Sequence, residues 1–291
     1  MSDPVDIAVC NVTQAARPLI GHLEMVRDMT PNVGALVVYE QSYRISDGAF
    51  DWVRHDDVLN LVVAARRLGF RPLAYVHPGE WFNASKKNAD RMFRALCREH
   101  EEMGWAGFYL DGTPPSLAAT PDEVAAFYWR LRHELVPSPY LVMHASGFVL
   151  PREIDVLPDI LRFGEHAKFE SAAEWDHVGS PTDKQCLSYI TWCHAHGVTP
   201  CPKMSKVVAQ SRVSDGTYRD QRAAWVEAAA LAGCAVWSWV TSRDGSTLSA
   251  KPWHKLAQDT RTRWGLSRVW TKGASSDLAS AEDVDQTGAI G

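Results

Sequence analysis

The sequence predicts a single (β/α)8 barrel with an active site at the C-terminal ends of its strands. Three observations support this prediction: short apolar runs recur eight times, helical patterns separate them, and nearly every run ends in a polar or ionisable residue. The chain has 291 residues, of which 46% are hydrophobic. That length suits one barrel domain, since such barrels typically take about 250 residues.

The eight runs are rich in Val, Ile, Tyr, Phe and Trp, and most are apolar on both faces. This composition is typical of parallel strands that are covered on both sides. The predicted strands are 6–12, 34–40, 71–78, 105–112, 139–147, 160–166, 198–204 and 234–242. One spacing is irregular, because only 21 residues separate His144 from Glu165. That step leaves room for a short helix or a 3₁₀ turn, and an open, doubly wound sheet remains the alternative fold.

The segments between these runs contain residues that typically begin or end helices. Thr120 at the cap, Pro121 at the first helical position and Glu123 together form a capping box. Gly69 and Gly233 each follow the last residue of a helical pattern, where glycine commonly ends a helix. Alternating strands and helices predict right-handed βαβ units, which is the repeating unit of the barrel.

The predicted barrel takes residues 1–270, and the polar, acidic segment 271–291 is expected to be an arm or a disordered tail.

The net charge is −5 with no Lys/Arg run, so we expect no nucleic-acid partner. No apolar run reaches the about 18 residues of a membrane helix, so we expect no membrane partner. The N-terminus lacks a signal-peptide pattern, which predicts a cytoplasmic protein, or a secreted one whose leader has been removed. The six cysteines contain no CxxC pair and are expected to be buried free thiols. The oligomeric state is open.

Polar or ionisable residues end nearly every predicted strand. Burying an unpaired charge costs several kcal/mol or so, which makes these residues a poor choice for a core. In a barrel they would ring the mouth, the face formed by the C-terminal ends of the strands, where active sites lie. Any single one could instead cap its strand or contact a loop. The residues are Asn11, Glu40, His77, Asp111, His144, Glu165, Lys203, Trp237 and Trp239.

Asp111 and Glu165 are the leading catalytic candidates. Asp111 ends the fourth predicted strand, and Gly112 allows the chain to turn at once; Glu165 ends the sixth predicted strand. Two carboxylates facing each other suit glycoside hydrolysis, in which one stays ionised and the other holds a proton. Retaining enzymes need carboxyl groups about 5–5.5 Å apart, and inverting enzymes need about 6.5–9.5 Å.

The stretch GFYLDG (107–112) resembles the nucleophile strand of the α-galactosidase/α-glucosidase clan and of the α-L-fucosidases. The stretches HASG (144–147) and FGEH (163–166) also look like parts of glycosidase-like barrels. This resemblance implies that Asp111 is the nucleophile and Glu165 the acid/base of a retaining glycosidase. Tyr109 stands where that clan has a lysine.

A carbohydrate is the expected partner, and this hypothesis requires neither a metal nor a cofactor. Aromatic rings can stack on the apolar face of a sugar, while polar strand ends can bind hydroxyl groups. The predicted substrate-binding residues are Tyr39, Glu40, His77, Trp81, Tyr109, His144, Lys203, Trp237 and Trp239.

Two other functions remain open. The first is a metal-dependent isomerase, aldolase or lyase, in which Lys203 is a base or a Schiff-base lysine. Its ligands to Mn, Mg or Zn would come from Glu40, His77, Asp111, His144 and Glu165. Against it, the first strand has no HxH motif and the chain has no HExxH motif. The second is a barrel that binds carbohydrate without catalysis. Nucleotide binding is disfavoured, because no glycine-rich phosphate loop follows any predicted strand.

Overall fold

A computed structural model gives the structure of the chain for a defined set of residues. Those residues are 5–12, 16–30, 33–39, 44–46, 49–51, 55–76, 86–111, 121–144, 159–170, 183–203, 223, 226–241 and 253–266. The predicted tail over 271–291 lies outside these ranges. Within them, every helix is too short or too polar to cross a bilayer.

Eight parallel strands form one sheet: β1 (Asp6–Asn11), β2 (Val33–Tyr39), β5 (Arg71–Val76), β6 (Gly107–Leu110), β7 (Tyr140–His144), β8 (His166–Glu170), β9 (Thr199–Lys203) and β10 (Trp237–Trp239). Their order in the sheet is β10-β1-β2-β5-β6-β7-β8-β9. A short antiparallel hairpin of β3 (Arg44–Ser46) and β4 (Ala49–Asp51) follows β2. The sheet closes between its first and last strands, because the Ala235 N–H donates to the Pro200 carbonyl at 2.9 Å. The predicted barrel is therefore confirmed.

Helices separate most of the barrel strands. They are α1 (Ala16–Met29), α2 (His55–Arg67), α3 (Lys86–Glu102), α4 (Pro121–His133), a 3₁₀ helix (Asp159–Phe163), α5 (Asp183–Ala195) and α6 (Trp253–Arg263), and residues 226–231 are also helical. Gly69 and Gly233 adopt positive φ values of 78° and 71°, which confirms both as helix stops. Pro121 is the first residue of α4, as predicted.

Two apolar layers result from the alternation of side chains along each strand. One layer lies between the strands and the helices and includes Leu36, Phe108 and Leu141. The other fills the inside of the barrel and includes Val9, Tyr109 and Trp237. Successive side chains of a strand point to opposite faces, so every second residue of each strand reaches the interior. The five cysteines described with their side chains are free thiols, as expected for them.

The sixth barrel strand lies later in the sequence than predicted. Residues 159–163 form the 3₁₀ helix, and β8 begins at His166 rather than ending there. The apolar run that suggested a strand is explained by packing, because Ile160 and Leu161 are buried in the outer layer. Glu165 consequently precedes its strand instead of ending it.

A buried ion pair joins β1 to α6 at the barrel floor, the face formed by the N-terminal ends of the strands. Both oxygens of Asp6 accept hydrogen bonds from the Arg261 guanidinium, at 2.7 and 2.9 Å. Arg261 also donates to the Cys234 carbonyl, and Asp6 accepts the Val236 N–H. These contacts fasten α6 to β1 and to the start of β10.

Candidate active site

Three neighbouring strands converge on the carboxylate of Asp111 at the barrel mouth. Asp111 directly follows β6, and its N–H continues the ladder to β5 by donating to the Val76 carbonyl at 2.7 Å. Tyr75 lies on β5, Tyr109 on β6 and His144 at the end of β7. Each occupies an inward position, because Tyr109 is part of the inner layer and the alternation along the strands gives the others the same face.

Three side chains contact the Asp111 carboxylate. The Tyr75 hydroxyl donates to Oδ2 at 2.7 Å, and the Tyr109 hydroxyl donates to Oδ1 at 3.1 Å. The His144 Nδ1 lies 2.5 Å from the same Oδ1. The side chain of Asp111 keeps 22% of its surface exposed. The carboxylate is therefore held in one orientation and still reaches solvent.

The environment of Asp111 favours its ionised form. Burial by itself would raise the pKa of this carboxyl. The hydrogen bond and charge of His144, the charge of Lys168 and the hydrogen bond from Tyr75 outweigh burial, and they hold the pKa of Asp111 well below its usual range. These contacts therefore favour an ionised Asp111.

Lys168 lies beneath this carboxylate, inside the barrel. Its side chain comes from β8 and is almost fully buried. The ammonium donates to the Tyr109 hydroxyl at 2.8 Å and lies 5.2 Å from the centroid of the Tyr109 ring and 5.0 Å from that of Trp237. Because an ammonium can only donate, the Tyr109 hydroxyl accepts a hydrogen bond from Lys168 and donates one to Asp111.

Aromatic rings form the wall next to the carboxylate. Tyr39 packs edge-on against Tyr75 at a centroid distance of 4.2 Å and against Trp239 at 5.9 Å. Tyr109 packs against Trp237 at 4.8 Å and against Tyr75 at 5.6 Å. A charged carboxylate beside such a wall provides both a polar and an apolar surface, a combination that suits a sugar ring.

The structure places most of the predicted site residues that it describes at this location. Asp111, Tyr39, Tyr109, His144, Trp237 and Trp239 lie within one connected set of contacts. Lys203 ends β9 at the same face, although its side chain lies outside the described part of the structure. Glu40, His77 and Trp81 lie outside the described residues.

Glu165 is the predicted catalytic residue that the structure places elsewhere. Its Oε1 lies 2.5 Å from the Nη1 of Arg132, and its Oε2 accepts the Leu141 N–H at 2.6 Å. Leu141 lies near the start of β7, so these contacts are at the floor, at the opposite end of the barrel from Asp111. The prediction that Glu165 faces Asp111 across the mouth is wrong, because the run before it forms a 3₁₀ helix rather than a strand.

Two residues of the site, Tyr75 and Lys168, were absent from the sequence prediction. Tyr75 stands two positions before His77 in the third predicted strand, so the two-residue period could have identified it. Lys168 belongs to the stretch HAKFE, in which polar residues alternate with apolar ones. That alternation is the usual pattern of a strand, and it was missed because the strand was placed several residues too early.

The described residues contain no set of side chains placed to bind a metal ion. There, no group of three or more His, Cys, Asp or Glu side chains is arranged to hold a metal ion. Of the five ligands considered for a metal enzyme, Asp111 and His144 lie together, and Glu165 lies at the floor. Glu40 and His77 lie outside the described residues.

No protein-family model matches the sequence, and no curated protein matches it. Solved structures do match the fold. A GH18 chitinase from Flavobacterium johnsoniae is 9% identical and has a TM-score of 0.58, over 90% of this chain and 96% of its own. A chitinase from Bacteroides thetaiotaomicron is 8% identical with a TM-score of 0.56, over 92% of this chain and 100% of its own. An exo-beta-1,4-mannosidase from Opitutaceae bacterium strain TAV5 is 12% identical with a TM-score of 0.58, over 92% of this chain and 61% of its own.

At these identities the likeness establishes the barrel fold alone. By name, the three are chitinases and a mannosidase, and none is an α-galactosidase, an α-glucosidase or an α-L-fucosidase. They give the resemblance to that clan and to the fucosidases no support beyond a shared barrel.

Proposed function

We propose that this chain is a glycoside hydrolase whose reaction takes place at the barrel mouth, with Asp111 as the catalytic carboxylate. The observation that carries the proposal is the Asp111 site itself: a partly exposed carboxylate at a strand end, oriented by Tyr75, Tyr109 and His144. Three solved structures of similar fold are named as glycosidases, which agrees with this chemistry. Active sites of such barrels lie at this face.

Asp111 is proposed as the nucleophile of a retaining mechanism. Its carboxylate would attack the anomeric carbon and form a covalent glycosyl-enzyme ester, which water then hydrolyses. A nucleophile of this kind must remain ionised, and the pKa of Asp111 is lowered by His144, Lys168 and Tyr75 in spite of burial. Tyrosine hydroxyl groups are suitable neighbours, because they fix the carboxylate without neutralising it.

Glu170 replaces Glu165 as the proposed proton donor. The resemblance to the α-galactosidase clan puts the acid/base at the end of the sixth strand, and that strand is β8, which ends at Glu170. Glu170 lies two positions after Lys168 in the same strand and is its last residue. In the register of the sheet Glu170 pairs with Lys203, another predicted site residue. For a retaining enzyme its carboxyl group should lie about 5–5.5 Å from that of Asp111.

The first experiment is a screen of aryl glycosides of several sugars with the purified wild-type chain. We expect release of the phenol from at least one of them. NMR of the first-formed sugar should then show the anomer of the substrate, since two displacements retain configuration. A first-formed product of opposite configuration would contradict the nucleophile role of Asp111.

The second experiment compares two glutamates: Glu170, the last residue of β8, and Glu165, which directly precedes that strand. Glu170→Gln should lower kcat/KM for a substrate with a poor leaving group by roughly 10²–10⁴-fold, as for the loss of a general acid. Glu165→Gln is the matched control and should leave kcat/KM unchanged, since the Gln oxygen can still accept the Leu141 N–H. The reverse result would show that the proton donor is not at the end of β8.

A barrel that binds carbohydrate without catalysis is the second candidate. Tyr75, Tyr109 and His144 already contact both oxygens of the Asp111 carboxylate. The aromatic wall could by itself hold a sugar. Calorimetry with the glycosides that the screen leaves intact would separate the two candidates. Binding without turnover, lost in Asp111→Asn, would favour the binding barrel.

A further inference from the structure

Lys168 is a buried cation inside the barrel, and its position calls for an explanation. Only 2% of its surface is exposed, so its ammonium is removed from solvent. A hydrophobic side chain usually fills such a place more favourably than a charged one. Its contacts with the Tyr109 and Trp237 rings, at 5.2 and 5.0 Å, compensate part of the lost hydration.

We propose that Lys168 is a positioning residue for the Asp111 carboxylate, to which it is connected through the hydroxyl of Tyr109. This inference deepens the proposed function, since it assigns to a residue outside the reacting pair the task of keeping the nucleophile charged and oriented. Lys168 would touch neither the sugar nor the reacting bond.

The connection is a chain of two hydrogen bonds. The ammonium donates to the Tyr109 hydroxyl at 2.8 Å, and that hydroxyl donates to Asp111 Oδ1 at 3.1 Å. The nitrogen of Lys168 therefore lies within about 6 Å of the carboxylate oxygen, a range in which an opposite charge lowers a carboxyl pKa by about 1–3 units. A donor that is itself hydrogen-bonded to a cation is also more polarised, which strengthens its bond to Asp111.

The direction of the hydrogen bonds is fixed by the lysine. A tyrosine hydroxyl can either donate or accept, so Tyr109 alone would not determine which it does toward a carboxyl group. Because Lys168 occupies the acceptor side of that hydroxyl, the proton of Tyr109 is directed at Asp111. This arrangement suits an ionised Asp111 and disfavours a protonated one.

Other titratable groups also face this pair, and they limit what Lys168 alone can do. Tyr75 from β5 and His144 from β7 contact Asp111 directly. Cys201 from β9 interacts with the charge of Lys168. Glu170 and Lys203 end β8 and β9, with side chains outside the described part of the structure, and Glu40 and His77 lie outside the described residues altogether. Lys168 is therefore expected to provide part of the shift in the Asp111 pKa rather than all of it.

The test is a direct titration of Asp111 that requires no enzymatic activity. Aspartate carrying ¹³C at the side-chain carboxyl is incorporated, and the Asp111 signal is assigned by its loss in Asp111→Asn. In Lys168→Met the titration midpoint should rise by about 1–3 units relative to wild type. Lys255→Met is the matched control, because Lys255 is exposed on α6 and pairs with Asp259. It should titrate as wild type does. An unchanged midpoint in Lys168→Met would overturn the proposal.

Tyr109→Phe provides a second variant, which keeps the ring, the lysine and the packing but removes the connecting hydroxyl. The Asp111 midpoint should rise here as well, and adding Lys168→Met should then raise it by less than it does alone. Equal shifts in both backgrounds would show that Lys168 does not act through Tyr109. Where a glycoside is cleaved, the acid limb of kcat/KM in Lys168→Met should move in the same direction as the carboxyl signal. A shifted signal in a chain that cleaves no glycoside would support the positioning role and count against the proposed function alone.

Discussion

Carboxylates stand at both ends of this barrel, and their partners differ. At the floor, Asp6 is fully buried and receives two hydrogen bonds from Arg261 and one from a backbone N–H. At the mouth, Asp111 is partly exposed and receives its contacts from Tyr75, Tyr109 and His144.

The difference indicates separate roles for the two carboxylates. A guanidinium matches both oxygens of a carboxylate, which suits a fixed connection between two elements of the fold. Hydroxyl and imidazole groups orient a carboxylate while leaving a face of it accessible. Glu165 follows the pattern of the floor, because its partners are Arg132 and a backbone N–H.

The largest expected effect is on activity at the mouth. Asp111→Asn keeps the shape of the side chain but removes the charge that would form the glycosyl ester. We expect kcat/KM to fall roughly 10⁴-fold, or about 5 kcal/mol of transition-state stabilisation. Steady-state kinetics on the best aryl glycoside measures this, with circular dichroism to show that the variant is folded. Wild-type kinetics in a folded Asp111→Asn protein would remove the distinction between mouth and floor.

The next effect is on stability at the floor. Arg261→Met leaves Asp6 buried without its cationic partner, and we expect the free energy of unfolding to fall by about 3–5 kcal/mol. Urea denaturation provides the measurement. Lys255→Met is the control, since it breaks an exposed pair on the same helix and should change stability by at most about 0.5 kcal/mol. If both variants lose the same free energy of unfolding, the buried pair does not stabilise the contact between α6 and β1 as the structure indicates.

Stability should also depend on pH through a buried histidine of the barrel interior. His166 contacts the Val5 carbonyl through Nε2 and the Tyr140 hydroxyl through Nδ1, each at 2.9 Å, an arrangement that suits a neutral ring. Burial lowers its pKa to about 4 from an ordinary 6.5.

Between these two pKa values the unfolded chain binds a proton at His166 that the folded chain does not. The free energy of unfolding should therefore fall as the pH is lowered through this window, by about 3 kcal/mol at most from this residue. His254 is also buried with a lowered pKa and contributes with the same sign. Urea denaturation of wild type and His166→Gln at several pH values measures the effect. The variant should show a shallower slope, and identical slopes would exclude His166 as a source.

The smallest effect is expected at Glu165. Glu165→Gln removes the charge facing Arg132, and both side chains keep about a quarter to a third of their surface in solvent. Because solvent screens such a pair, we expect a loss of about 1 kcal/mol or less in the free energy of unfolding. The midpoint of thermal unfolding should fall accordingly, by a few degrees at most. If Glu165→Gln lowered the free energy of unfolding as much as Arg261→Met does, burial would not explain a difference between the Glu165–Arg132 and Asp6–Arg261 pairs.

The sequence predicted the barrel because its evidence is repeated. Eight apolar runs and their helix signals recur along the chain, so one misplaced run does not change the fold class. The run ILRFGEH shows how a single strand can fail. Its apolar residues pack against the outside of the barrel as a 3₁₀ helix, and a short apolar run does not distinguish that from a strand.

The site was predicted less completely than the fold, because it depends on individual residues. Asp111, Tyr109 and His144 lie together at the mouth, as their predicted strands place them. Glu165 was assigned to the mouth, and Lys168 was overlooked, for the same reason: a shift of the sixth strand by several residues exchanges one end of the barrel for the other. The hydrogen bond from Lys168 to Tyr109 joins residues 59 positions apart, which no local pattern indicates.

Covalent trapping tests most directly whether Asp111 is the nucleophile at the mouth. An activated 2-deoxy-2-fluoro glycoside of the sugar that the wild type cleaves should accumulate as a glycosyl-enzyme. The fluorine slows both the formation and the hydrolysis of this ester, whereas the good leaving group speeds only its formation. Peptide mass spectrometry should then locate the label on Asp111, and Asp111→Asn should remain unlabelled. A label on another residue, or a wild type that cleaves the parent glycoside with retention yet leaves Asp111 unlabelled, would contradict the account.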